Sequence, residues 1–176
     1  YGEGSGTGER ILNPVTQIFL EEGAVFTLDT AQIGGVDSTL RKTEVSMEAD
    51  AKLFVMEKLM THDNQTAVSD MTVEMNGAGS SAQIVSRSVA KGHSVQTFHP
   101  IAIGNALCHA HVQCDSIIMD KAQISSIPEI NARDIDAQII HEAAIGRINN
   151  EQILKLRTFG MTEEEAEAVI IEDFLA

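Results

Sequence analysis

Between residue 15 and about residue 140 the chain repeats one pattern. Short runs of alternating apolar and polar residues are each closed by a small polar turn. Alternation at period two places successive side chains on opposite faces of a strand, so these runs read as half-buried β-strands. The clearest lie at 16–20, 24–28, 51–56, 71–75, 81–89, 94–98 and 117–119, joined by connectors such as Glu21-Glu22-Gly23, Asn76-Gly77-Ala78-Gly79 and Lys91-Gly92. Many runs follow an acid and a small residue, as in Glu22-Gly23-Ala24, Glu48-Ala49-Asp50-Ala51 and Asp120-Lys121-Ala122. Recurrence of acid, turn and alternating strand is the texture of stacked solenoid coils, although the period reads as irregular. A β-sandwich built of hairpins is the alternative, and the Asn-Gly and Asp-Gly turns it favours are nearly absent.

Composition agrees with thin stacked layers. Aromatic residues are 4% of the chain with no Trp, while apolar residues reach 43%, so the interior must be built from Val, Ile, Leu, Ala and Met. At 176 residues the chain can hold one domain with a core plus a small appendage. A net charge of −14 argues against nucleic acid, which needs clustered cations. No run approaches a membrane span. Two cysteines make no disulfide scaffold and point to a reducing, cytoplasmic setting. The opening YGEGSGTGER has no strand before it and no helix after it, so it reads as a flexible terminus rather than a dinucleotide loop.

From residue 149 the texture becomes helical. A first amphipathic segment over 149–159 is closed by Gly160, suited to a left-handed C′ position. Thr162 and Glu165 form a capping box for a second helix, in which Ala166, Val169, Ile170 and Phe174 predict a buried face. Its six acids between Glu163 and Asp173 read as a solvated face.

Metal-capable side chains gather in 106–147, which carries Cys108, Cys114, His109, His111, His141 and Glu142. Soft thiolate and imidazole suggest a metal or sulfur-handling site, and a carboxylate can ligate or move a proton. Cys114 and His141 are too distant in sequence for a local motif, so only the fold can join them. On one strand His141 and Glu142 face opposite ways, and both serve one site only if the backbone bends. His109 and His111 alternate in phase as a solvent-facing ladder, and Cys108 reads as a core or turn residue.

Several motifs occur in order: Gly92-His93-Ser94, Gln113-Cys114-Asp115-Ser116, His141-Glu142-Ala143, Ile145-Gly146-Arg147-Ile148, Glu151-Gln152-Ile153, Leu156-Arg157-Thr158-Phe159-Gly160, then an acidic helix. Across 81–176 this resembles the C-terminal half of the SufB/SufD family, scaffold proteins of the SUF iron–sulfur cluster assembly system. The resemblance implies a mainly β chain: a right-handed parallel β-helix (β-solenoid) core followed by a small C-terminal two-helix segment. The corresponding division is 1–12 flexible, 13–146 a partial β-helix core and 147–176 helical. It also implies a SufC-type ATPase docking on the C-terminal helical region, a sulfur donor protein, and pairing of cores with a transient iron–sulfur cluster forming near their interface. Cys114 matches the SufB-type cysteine, and His141 and Glu142 match its His-Glu pair; the SufD-type interface histidine also falls on His141. These three are the expected ligands for iron and cluster. Residues 144–153 look SufD-like, and Ile140 stands where SufB commonly has an acid, so a SufBD-like homodimer is expected beside the SufB/SufD-type heterodimer. Family proteins are longer, so Tyr1 reads as an artificial or processed start that leaves a solenoid end unpaired.

The expected function is a non-enzymatic scaffold accepting sulfur and iron; no P-loop occurs, so ATP hydrolysis belongs to a partner. The alternative is a structural, self-assembling β-solenoid or interaction protein. A carbohydrate-active β-helix enzyme ranks below both, because acids are scattered and sugar platforms are missing.

Overall fold

The computed structural model describes residues 8–176. Twelve strands precede two helices: β1 (Ile11–Leu12), β2 (Val15–Leu20), β3 (Val25–Ile33), β4 (Ser38–Met47), β5 (Lys52–Thr61), β6 (Thr66–Met75), β7 (Ser80–Ala90), β8 (Val95–Gly104), β9 (Cys108–Ile118), β10 (Gln123–Ser126), β11 (Glu129–Ala132), β12 (Gln138–Gly146), α1 (Asn150–Thr158) and α2 (Glu163–Leu175). They alternate between two parallel sheets. One runs β4-β6-β8 with β1 and β2 on its first edge and β10 and β11 on its last; the other runs β3-β5-β7-β9-β12. This is the expected parallel β-solenoid followed by two helices.

The period is more regular than the sequence suggests. Val15 pairs with Lys42, Ser38 with Thr66 and Lys52 with Ser81, offsets of 27, 28 and 29 residues. Turns stack at the same spacing. Gly23 N–H donates to Ala49 O at 2.8 Å, Asp50 N–H to Ala78 O at 2.9 Å and Gly79 N–H to Leu107 O at 2.8 Å. The left-handed position recurs along each edge, at Gly23, Asp50 and Gly79 on one and at Asp63, Gly92 and Asp120 on the other. Glycine or aspartate is needed there, since other side chains resist positive φ. This explains the acid-and-small-residue turns seen in the sequence.

Alternation sends every second side chain into the lumen between the sheets. One half of the lumen is apolar, built from Met47, Met75, Leu53, Ala82, Ile84 and Val112. The other half is polar, with Arg41, Glu57, Ser69, Ser86, Ser88, Gln96 and Ser116 all buried. Such groups tolerate burial only when paired. Arg41 Nη1 donates to Glu57 Oε2 at 3.0 Å and Nη2 to Gln32 Oε1 at 3.1 Å, while Ser69 Oγ donates to Glu57 Oε2 at 3.1 Å.

Residues 1–7 of the glycine-rich start lie outside the described residues, but the expected flexible segment does not extend to residue 12. Ile11 and Leu12 form β1 against Ser38 and Thr39, and Arg10 Nη2 meets Asp37 Oδ1 at 2.8 Å. Hydrogen bonds from Arg10 hold the Asp37 carboxyl below its ordinary value.

At the other end Gly160 takes the expected left-handed position, φ 94°, and Asn149 also caps α1, its Oδ1 accepting from Glu151 N–H at 2.9 Å. Thr162 and Glu165 exchange side-chain-to-backbone bonds at 2.7 and 3.2 Å. Helix α2 packs Ile171, Phe174 and Leu175 against Val89, Met119 and Met60, which moves the buried stripe away from Val169, left 42% exposed. Helix α1 buries no residue and leaves Leu154 and Phe159 exposed. No helix among the described residues is long and apolar enough to cross a membrane.

Candidate functional site

Strand β9 alternates Cys108, Ala110, Val112, Cys114 and Ser116 inward with His109, His111, Gln113 and Asp115 outward. One coil later, β12 lies on β9 with His141 opposite Val112 and Ala143 opposite Cys114. Like-phase side chains on adjacent strands reach one another diagonally, and Cys114 Sγ lies 3.2 Å from His141 Nε2. The fold therefore joins the two residues that sequence spacing could not.

Burial sets the electrostatics of this pair. Cys114 is 4% exposed, and burial pushes its thiol up to about 11. The Ser126 hydroxyl pulls it back, while the Asp115 and Glu57 carboxylates raise it further. Burial also lowers His141, favouring neutral imidazole. Both groups are thus favoured in their neutral forms rather than as a thiolate–imidazolium pair. A neutral imidazole is ready to ligate, whereas the thiol must first lose its proton; a bound cation supplies the charge that makes this favourable.

The surroundings extend as a ladder. Thr30, Glu57, Ser86, Cys114 and Ala143 occupy successive register positions of one sheet. Arg41, Ser69, Phe98 and Ser126 do so on the other. Cys114 shares a narrow internal cavity with Glu57, Ser69, Ser86, Phe98 and Ser126. Ser126 and the buried Arg41–Glu57 pair escaped sequence reading, because their placement depends on the coil register rather than on any local motif.

Glu142 is not part of this cluster. Period two turns it outward, where its Oε2 lies 3.4 Å from His111 Nε2. His109 is exposed on the same face. Cys108 is buried in the apolar half beside Gly104, where an added Cβ would sit 2.9 Å from its sulfur. Among the described residues no group of three or more His, Cys, Asp or Glu side chains is arranged to hold a metal ion. Cys114 and His141 therefore bring two donor-capable groups together without a third of these residue types completing a set among the described residues.

Fold and site together define a parallel β-solenoid with a cysteine–histidine pair enclosed at its last coil. Over residues 12–174 the chain matches the family described as SUF system FeS cluster assembly, SufBD core domain. It belongs to the SufBD family. Similar proteins include a SufBD family protein of Methanocaldococcus jannaschii, 28% identical over 96% of this chain and 54% of the relative. One from Archaeoglobus fulgidus is 28% identical over 93% of this chain and 45% of the relative. A third, from Pyrococcus horikoshii, is 30% identical over 97% of this chain and 52% of the relative. All three are named as iron–sulfur cluster assembly SufBD family proteins. The chain spans about half the length of these relatives.

Proposed function

We propose that this chain is the solenoid portion of a scaffold on which an iron–sulfur cluster is assembled. Cys114 accepts sulfur and ligates iron, and His141 is a second iron ligand. The observation that carries the reading is the 3.2 Å approach of Cys114 Sγ to His141 Nε2 inside a SufBD core. Cluster irons are usually held by four protein ligands, so two from one chain leave room for two from another. A second SufBD-type chain, identical or not, supplies them; β12 is the edge strand that bears His141 and is open to such a partner. From the outer face, Glu142 serves that interface or proton transfer there rather than the enclosed pair.

The chain itself catalyses no reaction in this scheme. A separate SufC-type ATPase docks on the helical segment, where Leu154 and Phe159 are exposed beside the acidic first turn of α2. A sulfur donor protein delivers sulfur, and the free thiols Cys108 and Cys114 suit a cytoplasmic setting.

Anaerobic reconstitution with iron and sulfide tests the reading. Cluster absorption and iron content are expected to fall sharply in Cys114→Ser and His141→Ala and to persist in Glu142→Gln. Cluster of wild-type stoichiometry in Cys114→Ser would sink the ligand role. Failure of the parent chain to form any cluster, with no ATPase co-purifying, would favour a structural solenoid instead.

A further inference from the structure

Cys114 is 4% exposed, so nothing in solution reaches its sulfur unless part of the fold moves. The covering elements are not equally held. Strand β12 is fastened to β9 along nine residues. Across the lumen, β10 and β11 have four residues each and pair only with β8, at the edge of their sheet. Pro128 lies in the break between them and has no N–H to offer the ladder. All four residues of β11 are exposed. Ile124, Ser125 and Ser126 of this piece form one wall of the cavity that holds Cys114.

Two further details bear on how the piece is secured. The buried Ser126 Oγ has no partner beyond its weak interaction with the Cys114 thiol, so moving it away sacrifices little. On the outer face Glu129 Oε1 lies 3.1 Å from His99 Nε2, and the other ring nitrogen, Nδ1, lies 3.6 Å from Asp70 Oδ1. On that face this side-chain contact ties 123–132 to the body, and it anchors the outermost strand two coils deep.

We propose that residues 123–132 form a flap, latched by the His99–Glu129 pair, whose lifting bares the Cys114 sulfur. The flap regulates access to the proposed scaffold site and rests on that reading for its purpose, but its opening is measured without iron or sulfide. A lumen sealed by its least-paired strands opens there first, because local opening follows the weakest set of hydrogen bonds.

Labelling of Cys114 by N-ethylmaleimide, followed by peptide mass in the metal-free chain, tests this together with amide exchange. Removing an exposed pair of this kind shifts an opening equilibrium by about two- to five-fold. Glu129→Gln and His99→Asn are each expected to raise the Cys114 labelling rate by that factor, and the double variant no further than the singles. Exchange should quicken over 123–132 and stay unchanged in β5. Glu44→Ala, which removes the acceptor that Gln17 Nε2 uses on the same outer face, should leave labelling as it was. An unchanged rate in both latch variants overturns the proposal. So does a faster rate accompanied by equal acceleration of exchange throughout β4 to β9, which marks general loosening.

Discussion

Cys114 and His141 touch at 3.2 Å although the register pairs neither with the other: His141 faces Val112 and Cys114 faces Ala143. The contact is diagonal, made by two inward positions of adjacent parallel strands. Its consequence is that a change of one residue in register would turn His141 outward and dissolve the pair.

Burial of this pair makes stability depend on pH at both ends. The folded Cys114 thiol ionises at about 11 against an ordinary 9.0, so its contribution is complete below 9.0 and is lost as pH rises through about 11. His141 is lowered from 6.5, so its contribution is present above 6.5 and is lost as pH falls through the folded value. Urea midpoints measured across these ranges should decline on both limbs. Cys114→Ser should flatten the alkaline limb and His141→Gln the acid one.

The Arg41–Glu57 pair lies in the lumen with side chains 8% and 2% exposed. Removing one partner strands a buried charge, so Glu57→Ala should cost about 3–5 kcal/mol in denaturant titrations. Replacing both with apolar residues of similar volume, Arg41→Met with Glu57→Leu, should recover most of that loss. A loss under about 1 kcal/mol in the single variant would show that the pair is not desolvated as the structure indicates.

Gly77 marks how closely successive turns stack. A Cβ built there would lie 1.9 Å from the Ala49 backbone nitrogen. Backbone cannot yield as a side-chain tip can, so Gly77→Ala should destabilise by about 2 kcal/mol or more. Gly146→Ala, with open space around its Cβ, is the matched control. Thermal unfolding of the two variants decides the point.

At the helical end, Thr162→Ala removes the cap that accepts from Glu165 N–H at 3.2 Å. A cost of about 1 kcal/mol is expected, read as a lower helix melting temperature by circular dichroism. The solenoid strands should keep their exchange protection, because α2 packs on them mainly through Ile171, Phe174 and Leu175, far from its N-terminal cap.

The strands most visible in the sequence are those whose inward positions are apolar, such as β2 with Ile18 and Leu20 or β5 with Leu53 and Val55. Strand β4 was not legible because its inward residues begin with Thr39, Arg41 and Thr43, a pattern that reads as surface until the polar half of the lumen is known. The coil period was hidden for a related reason: turn positions alternate between Gly and Asp, and only their shared left-handed backbone aligns them. Cys114 and His141 were recognised through motif resemblance, while their contact needed the parallel register. Glu142 was expected beside Cys114 and His141 as a third ligand, but strand alternation turns it outward toward His111, away from the enclosed pair. Ser126 and the His99–Glu129 pair had no sequence signal, being joined only across the lumen or over a sheet edge.

The 27–29-residue coil has a consequence for how a chain of this kind can change in length. Loss of one residue inside a strand exchanges lumen and surface for the rest of that strand. Removal or duplication of a whole coil leaves every later side chain on its former face and every turn above another turn. Length variation in such a protein is therefore quantised, with the coil as the smallest unit that can be gained or lost without rewriting the interior.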